Sequence, residues 1–364
     1  MGCCSSINSH TQEPAKKPTN INPNNLNEDH IDLVINLPQI DHKTHQQMNT
    51  KEVNMKPINK LNESLQNKIE EPPKKTLPDM ILENLVSKVI IKEQINKASC
   101  KVLNCTHSKI YLHDCMQTVS VTNSHHCEIF IGPSVSVSLE QSTKCRVITC
   151  SKSLTISQCN SIKLLVFSET PPIIKDSTSI RLGCFSYFYA ELQEQFECAG
   201  LDVWNNRWSE VEDCEYFPES VKWWDIIQRK EAAEAGDISP PGSFYESSQA
   251  IVPLTLGRSK DINNKTAVVF LNYNNKLLMN VYEAIRYKVL LLNTKSMTIT
   301  RDELSKIIGN IDISYKKLKI VIMIIGCEDN ITEVEEIIKK LYEENSLYIS
   351  HDPTIVQGLS LING

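Results

Sequence analysis

The chain has 364 residues, 41% hydrophobic and 23% charged, with a formal net charge of −6. That balance suits two or three globular domains and argues against nucleic-acid binding by bulk electrostatics. No apolar run reaches the roughly 18 residues of a membrane span, and the residues after Met1 lack the apolar core of a secretory signal.

Met1-Gly2-Cys3-Cys4-Ser5-Ser6 fits an N-myristoylation pattern on Gly2, with Cys3 and Cys4 placed for palmitoylation. One myristoyl chain binds weakly, with a constant of roughly 10⁴ M⁻¹, and a second chain makes the attachment firm. The expectation is a lipid anchor at the cytoplasmic face of a membrane. Thiols stay reduced there, so the thirteen cysteines read as small buried hydrophobes and not as disulfides. No C-x-x-C pair occurs, and His113 with Cys115, or His126 with Cys127, lacks matching partners, so no metal site is expected.

Residues 1–77 are rich in Asn, Gln, Lys, Pro and His, and read as a disordered tether with a reach of roughly 50 Å. Over 78–225 short apolar pairs alternate with polar residues: Ile110/Leu112, Val119/Val121, Ile129/Ile131, Val137/Leu139, Leu154/Ile156, Ile162/Leu164. They recur about every seven to ten residues, with corner signals at Asn104-Cys105, Asp114-Cys115, His126-Cys127, Lys144-Cys145 and Gln158-Cys159. A parallel β-helix with an inward cysteine ladder fits this pattern, and a β-sandwich is the alternative. The aromatic stretch 184–225, with Phe196, Trp204, Trp208, Trp223 and Trp224, reads as a cap on the open end.

Residues 226–260, with Gly236 and Pro240-Pro241-Gly242, read as a linker. Residues 261–364 alternate strand and helix. Ala267–Leu271, Tyr287–Asn293, Lys319–Ile325 and Leu347–Ile349 read as strands. Leu277–Arg286, Arg301–Ile308 behind an N-cap at Thr300, and Thr332–Glu344 read as helices, giving a small α/β domain.

The runs Gly183-Cys184-Phe185, Glu191-Leu192, Gln195-Phe196, Ala199-Gly200-Leu201, Asn205-Asn206 and Trp208-Ser209, after the Met-Gly-Cys start and the Cys-punctuated strands, resemble the tubulin cofactor C (C-CAP) domain family. The likeness is to its lipid-anchored, retinitis pigmentosa 2-type branch, and covers roughly residues 100–225. The last domain resembles that branch's ferredoxin-like, nucleoside-diphosphate-kinase-like domain in element order. The resemblance implies a right-handed parallel β-helix that binds a GTP-bound Arf-like small GTPase and acts on its GTP through an arginine finger. Such a finger is worth about 10³ to 10⁵ in rate, on the order of 4 to 7 kcal/mol of barrier. It also implies a plasma-membrane or ciliary-base location, and no cofactor.

The family's finger stands in a Gln-x-x-Arg pattern four residues before a corner cysteine. Counted back from Cys159, Thr155 takes the arginine place and Lys152 the glutamine place. Sliding Lys152 onto the finger position needs an odd shift, which would turn Leu154 and Ile156 outward. Ser153 and Ser157 flank Thr155 on the same face, and an acidic contact of the family falls on Lys175. Three readings stay open: GTPase binding without strong stimulation of hydrolysis, Lys152 as a substitute cation, or a surface that serves another partner. A tubulin-folding cofactor relative is a further alternative, which the lipid signal argues against.

The last domain is not expected to be a kinase. His351 stands in Ser350-His351-Asp352-Pro353, without the Asn-x-x-His-x-Ser-Asp setting that phosphate acceptance requires. Gly257 and Gly326 are isolated, so no phosphate loop is legible.

Overall fold

The computed structural model describes residues 79–213, 223–227, 244–245, 249–257, 262, 264–309, 316–326, 331–342 and 346–362. All of these residues fall within one compact unit, Glu71–Gly364. The proposed lipid acceptors Gly2, Cys3 and Cys4 and the tether lie outside the described residues.

The expected parallel β-helix is present. On one face Lys109 pairs with Glu128, Glu128 with Arg146 and Arg146 with Lys163, so successive coils take 19, 18 and 17 residues. Strands β6 (Glu128–Glu140) and β7 (Arg146–Ser157) run through both faces of their coils. On the other face β1 (Met80–Glu83), β3 (Cys100–Leu103), β5 (Met116–Thr122), the ends of β6 and β7, and β9 (Ile173–Lys175) stack in parallel. All the apolar pairs read from the sequence point inward; Ile110, Leu112, Ile129 and Ile131 are 0% exposed.

Each coil turns between its faces with two left-handed residues three apart, such as Asn104 and His107, Asn123 and His126, Gln141 and Lys144, and Gln158 and Ser161. A non-glycine residue in this region costs roughly 1–2 kcal/mol. Backbone bonds between coils offset that cost, including Asn104 N to Thr122 O at 3.1 Å and His107 N to His125 O at 3.0 Å. At these four corners the residue after each left-handed position faces inward. Cys105 and Cys159 occupy the first such place and Cys127 and Cys145 the second, with Ser108, Ser124, Ser142 and Ser177 in the same two stacks. The expected cysteine ladder is thus spread over two columns, the second of which continues as Ile162 and Ile180, and Cys115 lies outside both. Hydroxyl and thiol interchange there because each bonds a corner carbonyl: Ser142 Oγ to Glu140 O at 2.9 Å, and Cys145 Sγ to Thr143 O at 3.4 Å.

The aromatic segment departs from its expected role as a simple end cap. Tyr187, Tyr189 and Phe196 lie along one outer face of the solenoid and pack on Tyr111, Phe130, Ile148, Leu165 and Phe167. Helix α1 (Leu192–Ala199), ended by left-handed Gly200, belongs to this cover. The end is closed by short strands: Glu212–Asp213 joins β9, and Trp224–Ile226 joins β10 (Ile180–Cys184). The stretch expected as a linker is packed in its described part. Phe244–Tyr245 pairs with Tyr187–Phe188, Val252 is 0% exposed, and Thr255 Oγ1 accepts from Trp208 Nε1 at 2.8 Å.

The C-terminal sheet is antiparallel. Lys265–Leu271 is flanked by Lys317–Gly326 and Leu347–Ser350, and Leu290–Thr300 pairs with Lys317–Gly326 on its other side. Helices α2 (Asn275–Ile285) and α4 (Ile331–Leu341) cover one face with Leu278, Val281 and Ile338. Helices α3 (Arg301–Ile308) and α5 (Pro353–Leu361) cover the other with Leu304 and Leu359. This two-sided burial explains the unbroken apolar run Ala267–Leu271. The strand expected from Tyr287 begins at Leu290, since Tyr287 is 81% exposed beside the end of α2. Helix α5 was absent from the sequence reading, although Asp352 caps it and Pro353 opens it.

Candidate functional site

The solenoid face opposite the aromatic cover carries the sequence-derived site. Leu154 and Ile156 are 1% and 0% exposed, so Thr155 points outward and the register argued from the sequence holds. Parallel pairing sets its neighbours, with rungs about 4.8 Å apart. Ser120, Ser138, Thr155 and Ile173 form one outward column. Thr122, Glu140, Ser157 and Lys175 form a second, and Thr118, Ser136 and Ser153 a third. The result is a field mostly of short hydroxyls, with Glu140, Ile173 and Lys175 among them, on a stiff backbone. None of the described strand residues on this face is an arginine.

Lys152 does not share the Thr155 column. It stands at the bend of β7, exposed, three residues or about 10 Å along the chain. Its carbonyl accepts from Thr170 N at 2.9 Å and Thr170 Oγ1 at 3.1 Å, which pins the bend. Glu169, the residue before Thr170, lies near enough to feel the Lys152 charge. Burial pushes the Glu169 carboxyl up, while the Asp202 N–H, 2.6 Å away, and the Lys152 charge pull it down. This acidic neighbour was not read from the sequence, because the loop after residue 168 carries no periodic pattern.

Ser153 Oγ reaches Val135 O at 3.5 Å. Ser157 sits between Glu140 and Lys175 on neighbouring rungs. Lys175 is exposed, and its carbonyl accepts from Gln158 N at 3.1 Å and Ser177 Oγ at 2.6 Å. The structure therefore gathers Thr155, Ser153, Ser157 and Lys175 on one face and sets Lys152 at its margin. Arg207, on the segment after α1, is held by Glu210 at 2.8 Å.

The covered face carries a different chemistry. Glu128 stands between Lys109, 2.9 Å away, and Arg146, both of which it pairs with. Burial, which alone would raise its carboxyl, is outweighed by these two cations, and the group titrates below its usual range. In the C-terminal sheet His351 is fixed by Thr266 Oγ1 at 2.8 Å and Glu335 Oε1 at 2.6 Å. Among the described residues no group of three or more His, Cys, Asp or Glu side chains could hold a metal ion, and no helix is long and apolar enough to cross a membrane.

Residues 97–214 match the family described as "Tubulin binding cofactor C". The chain is 22% identical over 217 residues to "Protein XRP2" of Mus musculus, covering 56% of this chain and 62% of that protein. It is 24% identical over 153 residues to "Tubulin-specific chaperone C" of Homo sapiens, covering 41% and 44%. The matched segments thus span less than two thirds of these relatives. A solved structure, "Tubulin Binding Cofactor C from Leishmania major", aligns with a TM-score of 0.30 at 18% identity, covering 34% of this chain and 85% of that one.

Proposed function

From a chain that carries a cofactor C-type domain and resembles XRP2, we propose a membrane-anchored regulator that binds an Arf-like small GTPase in its GTP state. The open hydroxyl face is the docking surface, with Thr155 at the place where a catalytic arginine would stand. The observation that carries this reading is the outward placement of Thr155 between Ser138 and Ile173, over buried Leu154 and Ile156. Rungs held by parallel pairing present a preformed surface, so docking orders little of the protein. A threonine hydroxyl carries no charge for the γ-phosphate. The regulator therefore binds without speeding hydrolysis beyond a few-fold.

Lys152 as a substitute finger is the competing reading. Its place at the margin, three residues along the strand from Thr155, disfavours it. Acylation at Gly2, Cys3 and Cys4 would place the regulator on the cytoplasmic face of the plasma membrane, at the base of a cilium in the family's pattern. The C-terminal unit, with its strand order and flanking helices, is read as a ferredoxin-like scaffold without kinase activity. Tubulin is the alternative partner, suggested by the name of one relative.

A pulldown with an Arf-like GTPase loaded with GTP or GDP tests binding apart from catalysis. Retention of the GTP form is expected, and equal loss of both forms would refute the docking face. In single-turnover hydrolysis, Thr155→Arg should accelerate the reaction at least tenfold over the natural protein. A fast natural rate that disappears in Lys152→Ala would instead establish the lysine finger.

A further inference from the structure

The thiols differ sharply in how they meet one another and the solvent. Cys127 and Cys145 are neighbours on successive coils, but each is 1% exposed, sealed inside the solenoid. Cys150 and Cys159 are likewise buried, at 0% and 1%. Cys115 is 3% exposed, and its close neighbour is the thiol of Cys198, half-buried on the last turn of α1.

The chain holds these two thiols together through independent contacts. Gln195 Nε2 donates to His113 O at 3.4 Å, and Gln195 Oε1 accepts from Tyr189 OH at 2.8 Å. Tyr189 in turn packs on the His113 ring with centroids 4.2 Å apart. Residues three apart on a helix share a face, so Cys198 follows Gln195 onto the same turn of the solenoid, where Cys115 follows His113 by two. Asp114 Oδ2 accepts from Asn96 N at 2.9 Å, which ties that turn to the preceding coil.

We propose that Cys115 and Cys198 are an oxidative cross-linking site that bolts α1 and its aromatic cover to the solenoid. A peroxide is the oxidant. The Cys198 thiolate attacks one peroxide oxygen, the O–O bond breaks, and the departing hydroxide takes up the proton Cys198 released. The product is a sulfenic acid on Cys198 and one water. Cys115 sulfur then attacks the Cys198 sulfur, the S–O bond breaks, and a second water leaves with the Cys115 proton. Two thiols lose two electrons and one peroxide becomes two waters. The order follows from access: Cys198 meets solvent, while burial pushes the Cys115 thiol up to about 12 and keeps it protonated until its partner is activated. The link would stiffen the covered face and leave the open face unchanged.

The test uses the full reduced chain, one to two equivalents of hydrogen peroxide, alkylation of remaining thiols, and digestion without reductant. A peptide pair joined through Cys115 and Cys198 is expected, with amide exchange over 185–201 slowed about tenfold and restored by dithiothreitol. In Cys198→Ser, a substitution on a half-exposed side chain, the joined pair and the slowing should both be lost. Peroxide that converts Cys198 to higher oxides, or links it elsewhere without the Cys115 pair, overturns the proposal. So does a joined pair that leaves exchange over 185–201 unchanged.

Discussion

Lys295 Nζ lies 2.9 Å from Glu210 Oε1, and the two side chains are 4% and 3% exposed. This pair joins the solenoid segment to the C-terminal sheet. Arg207 holds the other oxygen of Glu210, Asn293 Nδ2 donates to Oε1 at 3.1 Å, and Lys295 also donates to Ser360 O at 2.6 Å. Asn206 bridges to Thr294 beside it, and Trp204 is buried in the core of the C-terminal sheet. The two folded parts therefore share buried charge as well as apolar surface.

Removing one partner of that pair should be costly. Glu210→Ala leaves Lys295 buried without its carboxylate, and a loss of about 3–5 kcal/mol is expected in denaturant unfolding. The double change Glu210→Leu with Lys295→Met should recover only part of it, because the Lys295 charge is then gone from the interior but Arg207, 14% exposed, has still lost the Glu210 carboxylate. Burial acts to raise the Glu210 carboxyl, but Lys295 and Arg207 prevail and hold it below its usual range. Its stabilising share is present above the ordinary carboxylate pKa and is lost as pH falls through the lowered value.

The register around the candidate site gives a sharper pair. Ile156 is 0% exposed and Thr155 points out, although they are adjacent. Ile156→Asp should prevent stable folding, since an unpaired carboxylate would enter the solenoid core. Thr155→Asp should change stability by less than about 1 kcal/mol, as surface substitutions do. Thermal melts of the two variants check the contrast, and equal losses would invert the register.

His113 supplies a pH dependence. Burial lowers its pKa, against the smaller raising influence of Glu191, Glu93 and Asp114. The folded chain therefore prefers the neutral ring, and the unfolded chain binds the proton first as pH drops. Stability from this residue is full above the ordinary histidine pKa of about 6.5 and declines below it, down to the lowered value. Unfolding free energies between pH 5 and 7.5 should fall towards acid, and His113→Phe should flatten that slope.

Gly132 is required by close approach. A Cβ there would lie 2.5 Å from Asp114 O and 3.2 Å from Leu112 O, both backbone atoms that cannot step aside. Gly132→Ala should cost about 1–3 kcal/mol through overpacking. Gly200, the left-handed residue after α1, has open space around its Cβ direction, so Gly200→Ala should cost about 1 kcal/mol through backbone strain alone. Comparing the two melts separates crowding from backbone preference.

Much of this architecture is legible in the chain because its signals are local. Val119/Val121, Val137/Leu139 and Leu154/Ile156 announce inward pairs, and Thr300 with Glu303 closes a capping box that starts α3. The cover over Tyr111 and Phe130 was not legible, since an aromatic segment carries no mark of the surface it will meet. Glu169 beside Lys152 escaped for the same reason, and so did Glu210 beneath Lys295. Glu210 follows the run ending Trp208-Ser209, and a charged residue there reads as solvated until a partner from 85 positions on is brought to it.

What the amino-acid order settled by itself is the stacked-strand repeat and the inside-outside parity of each rung. Alternation of period two leaves a strand one favourable face, and a one-residue slip would expose all of it. Which face stays open, where the aromatic segment lies, and how the C-terminal sheet is fastened were decided by tertiary structure alone. Those outcomes depend on contacts between residues far apart in the chain, and the gain from burying them exists only once both surfaces have formed.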